Sequence, residues 1–154
     1  MIWISLIFWL AICYTVAYVS GSWTASEITG WYRTLNRPAI TPPNWVFGPV
    51  WTMLYAMMAF AAWLVWESPD SPMRTYGLAL FLVQLLLNSI WALIFFRHHA
   101  IGAAMVDVVA LWAAIGATTL FFGRVSPMAA WLMAPYWAWV TFATVLNAAF
   151  WRLN

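Results

Sequence analysis

Apolar residues follow one another along this chain in long unbroken runs, and the few charged positions are the breaks between them. The runs cover 1–26, 38–66, 75–96 and 125–151, each at or beyond the roughly 20 mostly apolar residues that a helix needs to cross a bilayer. A fifth fits 101–122, where Asp107 is the only charge. The runs are apolar nearly all round, whereas the helices of a water-soluble bundle carry polar stripes. They also lack the short alternating segments of barrel strands. The pattern predicts an all-α membrane protein, one domain over 1–154. Five transmembrane helices fall near 2–20, 45–66, 77–96, 101–122 and 128–150, with a structured loop between the first two.

Composition sharpens this picture. The chain is 66% hydrophobic and 6% charged, against roughly 25% charged residues in soluble domains. Its cations are six arginines scattered from Arg33 to Arg152, with no lysine, which is no nucleic-acid patch. The first arginine is residue 33, too late for the positive start of a cleaved signal peptide. With five spans, Arg33, Arg37, Arg97 and Arg152 share one side against Arg74 and Arg124 on the other, so the positive-inside bias predicts an N-out, C-in arrangement. The lone Cys13 permits no internal disulfide and reads as a small buried residue. No repeat of 20–50 residues is visible, which counts against an inverted-repeat transporter.

Candidate chemistry gathers around residues 31–51, "WYRTLNRPAITPPNWVFGPVW". With the first span ending near 20, some 24 residues separate it from the second, long for a compact bundle and suited to a lid. Pro38, Pro42 and Pro43 fix three φ angles and stiffen it. Thr41 is placed to cap a helix beginning at Pro42, and Pro49 to bend its first turns. Trp31, Trp45 and Trp51 are expected around one end of the bundle. Below them, residues spaced three and four apart share helix faces: Trp51, Tyr55 and Met58 on the second span, Gln84, Asn88, Trp91 and Phe95 on the third, Pro135, Trp139, Ala143 and Asn147 on the fifth. Two readings stay open. Tryptophans are commonly interfacial anchors, and buried amides commonly tie helices together. Together with a stiff loop, the aromatic walls and amides also describe a site for a large planar apolar ligand, with Arg33 or Arg37 meeting carboxylates at its wet edge.

Other polar residues carry less. A carboxylate in a span costs about 2.5–3.5 kcal/mol on insertion; Asp107 has no ionisable neighbours at depth to form a proton relay and reads as a satisfied structural acid. His98 and His99 follow Arg97 in a short turn, where solvated histidines are far commoner than haem ligands. No metal-ligand spacing, phosphate loop, nucleophile elbow or carboxylate pair is present. Any chemistry would be that of a bound pigment, with tryptophan as redox partner.

The order of the loop stretch, "QLLLNSIWALIFF", Asp107 and "RVSPMAAWLMAPYWAWVTFATVLNAAFWRLN" resembles the tryptophan-rich sensory protein (TspO) and translocator protein family, also called peripheral benzodiazepine receptors, over essentially the whole chain. The resemblance implies a five-helix bundle, usually a homodimer. It also implies binding of tetrapyrroles such as protoporphyrin IX, with sterols or benzodiazepine-type ligands in some members, and no required cofactor. By the same resemblance Trp51 and Trp139 match the two pocket tryptophans tied to porphyrin chemistry. Trp31, Tyr55, Asn88 and Trp91 match other lining positions, and Ala143 one that tunes ligand response. The sterol motif wants tyrosine after "ATVLN", where Ala148 and Ala149 stand instead, and the small-residue dimer patch is half kept as Ala79 with Val83. The implied function is porphyrin sensing, transport or disposal; a lipid or sterol translocator and a light-dependent porphyrin-degrading enzyme are the alternatives.

Overall fold

A computed structural model describes residues 1–154 and is all helix and turn. Five helices are long and apolar enough to cross a bilayer: α1 (Ile2–Ile28), α3 (Asn44–Trp66), α4 (Pro72–Ala92, prolonged to Arg97 by a π-helical turn), α5 (Ile101–Val125) and α6 (Pro127–Leu153), with a single short turn, α2 (Trp31–Thr34), between α1 and α3. The protein is an integral multi-pass helical bundle. In hydrocarbon no water can satisfy peptide groups, so the segments that cross it hold their backbone polar groups in helical bonds.

The helices outrun the expected spans, and the reason is local. α1 continues eight residues past residue 20 although Ser20, Gly21, Ser22, Thr24 and Ser26 are poor helix formers in water. Here Ser22 Oγ donates to Val19 O (2.7 Å), Thr24 Oγ1 to Ser20 O (3.1 Å) and Ser26 Oγ to Trp23 O (2.9 Å), so the hydroxyls spend their bonds on the helix itself. The connection to α3 is therefore 29–43, shorter than expected, with Pro38 buried. Thr41 does not cap α3. Pro43 is the N-cap, Asn44 begins the helix, and Thr41 Oγ1 is buried without a partner. α4 starts as proline rules dictate, with Pro72 at its first position and Ser71 Oγ accepting from Arg74 N at 3.1 Å. Arg74 then folds back so that its Nη2 donates to Trp66 O at 2.7 Å, covering an orphan carbonyl of α3; its guanidinium also pairs with Asp70.

Around the ring, α1 packs on α3, α3 on α6, α6 on α5, α5 on α4, and α4 back on α1. The half containing the α3–α4 and α5–α6 turns is solid. Trp9 meets Phe81 edge-on at 5.6 Å, Phe81 stacks on Phe122 at 5.7 Å, and Met58, Ala59, Ala61, Ala62 and Val65 are wholly buried. Without a hydrophobic force between helices in lipid, such contact and small residues that permit close approach hold the bundle. Gly116 shows how close: a Cβ there would lie 2.7 Å from Cζ2 of Trp137.

Candidate functional site

The other half of the bundle is hollow. A cavity of about 380 Å³ lies between α1, α3, α4 and α6 beneath α2, within the range of ligand pockets. Three elements build its aromatic wall. α3 supplies Phe47, Trp51 and Tyr55; the end of α4 and its π turn supply Trp91, Phe95 and Phe96; α6 supplies Trp139, Phe142 and Phe150. The π turn widens the backbone at Leu93–Arg97 and closes with His98 N donating to Leu93 O at 3.0 Å. It lets the consecutive Phe95 and Phe96 both face inward, a common use of such turns at functional sites. Trp51 and Trp139 meet at right angles, ring centres 6.5 Å apart and planes at 89°. No charged side chain lines the cavity.

The floor is a hydrogen-bonded chain: Asn88 Nδ2 donates to Tyr136 Oη (2.7 Å), which donates to Gln84 Oε1 (2.7 Å). All three side chains are buried. Asn88 touches the cavity while Gln84, with Nε2 at 3.7 Å from Met58 Sδ, sits behind it. Asn147 also reaches the wall, but its bonds are committed. Its Oδ1 accepts from Trp91 Nε1 (3.1 Å) and its Nδ2 donates to Ile101 O (3.1 Å). The acceptor of Asn88 remains without a protein partner.

Of the residues expected to form the site, Trp51, Tyr55, Asn88, Trp91, Phe95, Trp139, Ala143 and Asn147 line one cavity. Four stand elsewhere. Trp45 points off the outer face of α3 and is 75% exposed, the position of an interfacial anchor. Gln84 is a helix tie. Arg33 is exposed on α2. Trp31 packs in the roof, stacked 4.1 Å from His99 and edge-on to Phe95. On α6 Pro135 is exposed and Tyr136 takes the inner position.

The roof is held at several points. Tyr32, 2% exposed, lies among Phe95, Phe96 and Phe150, and the Arg37 guanidinium sits 5.1 Å over its ring. Burial pushes the Tyr32 phenol above its ordinary value of 10, while Arg37 pulls it back. Asn36 and Asn154 clasp each other: Asn36 N donates to Asn154 Oδ1 (3.0 Å) and Asn154 Nδ2 to Asn36 O (3.1 Å). His98 and His99 are both exposed, as expected of histidines in a surface turn, and His99 is also tied to the roof. It adopts a positive φ of 57°, uncommon without glycine, and its Nε2 lies 2.9 Å from Glu27. Asp107 differs from expectation too. It is buried in α5, and its Oδ2 has no partner.

Of the lining that sequence reasoning missed, more comes from α1 than from any other helix. Tyr14, Ala17, Gly21, Thr24 and Ile28 face the cavity at spacings of three and four, a helical stripe of small and polar residues. Ending the helix near 20 hid its upper half, Gly21, Thr24 and Ile28.

This is a five-helix membrane protein with an internal aromatic cavity roofed by a tied interhelical segment. The chain belongs to the TspO/MBR family, whose pattern matches residues 9–152. It is 40% identical to the translocator protein of Homo sapiens over 139 residues, covering 89% of this chain and 82% of that one. It is 38% identical to the tryptophan-rich protein TspO of Chlorobaculum tepidum over 149 residues, covering 94% and 92%. Against protein CrtK of Rhodobacter capsulatus the identity is 37% over 125 residues, covering 80% and 78%.

Proposed function

We propose that this protein binds a tetrapyrrole of the protoporphyrin IX type in the cavity, as a step in porphyrin sensing, transport or disposal. The observation that carries the reading is the wall itself: indoles and phenyl rings from three helices around one uncharged space, suited to a flat conjugated ligand that gains from stacking. Asn88 offers a lone acceptor at the floor. Arg33 and Arg37, neither paired with a carboxylate, stand at the roof for the ligand's acid groups. With Arg97 and Arg152 they favour, by the positive-inside bias, an orientation with the cavity end on the inner side of the membrane. A second reading is light-dependent porphyrin oxidation, favoured by the contact of Trp51 with Trp139 inside the cavity.

The test is a titration of purified protein in detergent with protoporphyrin IX, following tryptophan quenching and the porphyrin band in darkness and then under light, with cholesterol as competitor. Saturable quenching that cholesterol does not relieve supports the binder. Its absence ends the tetrapyrrole reading. Loss of the band under light in the native protein, but not in Trp51→Phe or Trp139→Phe, promotes the enzyme.

A further inference from the structure

The cavity is tied down at its roof and less tied along one flank. The roof is secured by the Asn36–Asn154 clasp, the burial of Tyr32 among three phenylalanines, and the Glu27–His99–Trp31 cluster. The flank between α1 and α3 is different. Apart from a Tyr55–Ser20 hydrogen bond within the cavity wall, the polar and stacking ties across that pair lie at or below the level of Tyr14. Trp3 stacks on Trp63, Trp63 Nε1 donates to Ile2 O (3.1 Å), Ser5 bonds Glu67, and Tyr14 Oη donates to Thr52 O (3.0 Å). Carried upward from Tyr14–Thr52, this antiparallel register sets Gly48 about one turn and Gly21 about two turns above that bond, on facing helices. Both glycines line the cavity and both are exposed. A Cβ built at either meets nothing within 4 Å, so neither glycine is there to let the helices touch. Beside them Ala25 and Thr52 also line the cavity and are exposed. At the upper rim Asn44 carries a buried Oδ1 with no partner, also on the lining.

We propose that the gap between α1 and α3, with Tyr14–Thr52 as its sill and Gly21 and Gly48 as its jambs, is a lateral portal through which an uncharged or weakly amphipathic ligand passes between the bilayer and the cavity. Small residues keep the passage wide where larger ones would fill it, and the ligand never has to cross the tied roof. The portal rests on the reading that the cavity receives an apolar ligand from the membrane, and it selects for molecules that already partition there.

Gly21→Leu and Gly48→Leu test it, since both sites are helical, have room for the side chain, and gain helix propensity. In liposomes with protoporphyrin IX as the probe, association and dissociation should both slow by about tenfold in either variant, the signature of an obstruction on the path, whereas a defect confined to the bound state would speed dissociation. Asn36→Ala, which loosens the roof, should leave both rates alone. A ligand-free arm keeps the portal testable if porphyrin does not bind. A Cys13→Ala, Ala143→Cys protein should react with uncharged N-ethylmaleimide, resist a fixed-charge trimethylammonium thiosulfonate, and lose about tenfold of its maleimide rate when Gly48→Leu is added. The portal is overturned by unchanged rates in the leucine variants, by faster exchange in Asn36→Ala, or by equal labelling with the charged reagent. Absence of porphyrin binding alone would count against the tetrapyrrole reading, and the thiol arm would still decide the portal.

Discussion

The two halves of this bundle draw on the same residue types and arrive at opposite results. In the half around Phe81, aromatics, small residues and an occasional amide fill space completely: Trp9, Phe81, Phe122 and Met133 are at most 3% exposed. In the half around Trp51, tryptophan, phenylalanine and asparagine at the same three-and-four spacing surround a void of about 380 Å³. Residue identity does not make the difference. It lies in where glycine meets a partner. Gly116 lies under the Trp137 ring, and a Cβ at Gly77 would come 3.0 Å from the Phe122 ring, so those glycines let helices draw together. Gly21 and Gly48 face nothing and hold α1 and α3 open.

The largest expected break in this comparison comes from deleting a ring in each half. Phe81→Ala removes about 100 Å³ from filled space and should cost roughly 2 kcal/mol through the cavity it leaves. Phe142→Ala merely enlarges an existing hollow and should cost well under half of that, measured by unfolding in mixed micelles. Equal losses would mean that the second half is packed as tightly as the first.

Glycine gives the next contrast. Gly116→Ala pushes a methyl into Trp137 and should destabilise by about 1–3 kcal/mol, whereas Gly48→Ala should be neutral or stabilising by up to about 1 kcal/mol. The same unfolding assay reads both, and a destabilised Gly48→Ala would close the gap proposed there.

How much of this was legible beforehand follows the same division. The five spans could be read because charge marks their ends, and the stripe Asn88, Trp91, Phe95 could be read because helical spacing survives in lipid. What sequence could not supply was which glycine touches something, since Gly21 and Gly116 sit in equally apolar runs. Nor could it say which amide is free. Asn88 and Asn147 look alike, yet Asn147 is bound to Trp91 and Ile101. Trp45 and Trp51 differ by six positions along one helix, and only their rotation about its axis sends one to lipid and the other inward.

A smaller effect should distinguish the floor from the wall. Tyr136→Phe strands the amide of Asn88 and the carbonyl of Gln84, for a loss near the ~0.6 kcal/mol typical of such bonds between membrane helices, and should weaken porphyrin binding only slightly. The smallest concerns the roof. Because burial raises the Tyr32 phenol above its ordinary value of 10, its neutral form favours the folded roof. That contribution is whole below pH 10 and is lost as pH climbs through the folded value. Arg37 lowers that value, so Arg37→Gln should move the rise of tyrosinate absorbance to higher pH; a shift to lower pH would contradict the contact.

The most direct test of the central claim fills the hollow. Ala143 lines it, and Ala143→Phe should leave the melting temperature of the bundle close to native while lowering protoporphyrin IX affinity by about a hundredfold, read by tryptophan quenching in the dark. A folded Ala143→Phe protein that still binds porphyrin with native affinity would show that the ligand, if any, lies somewhere other than between these helices.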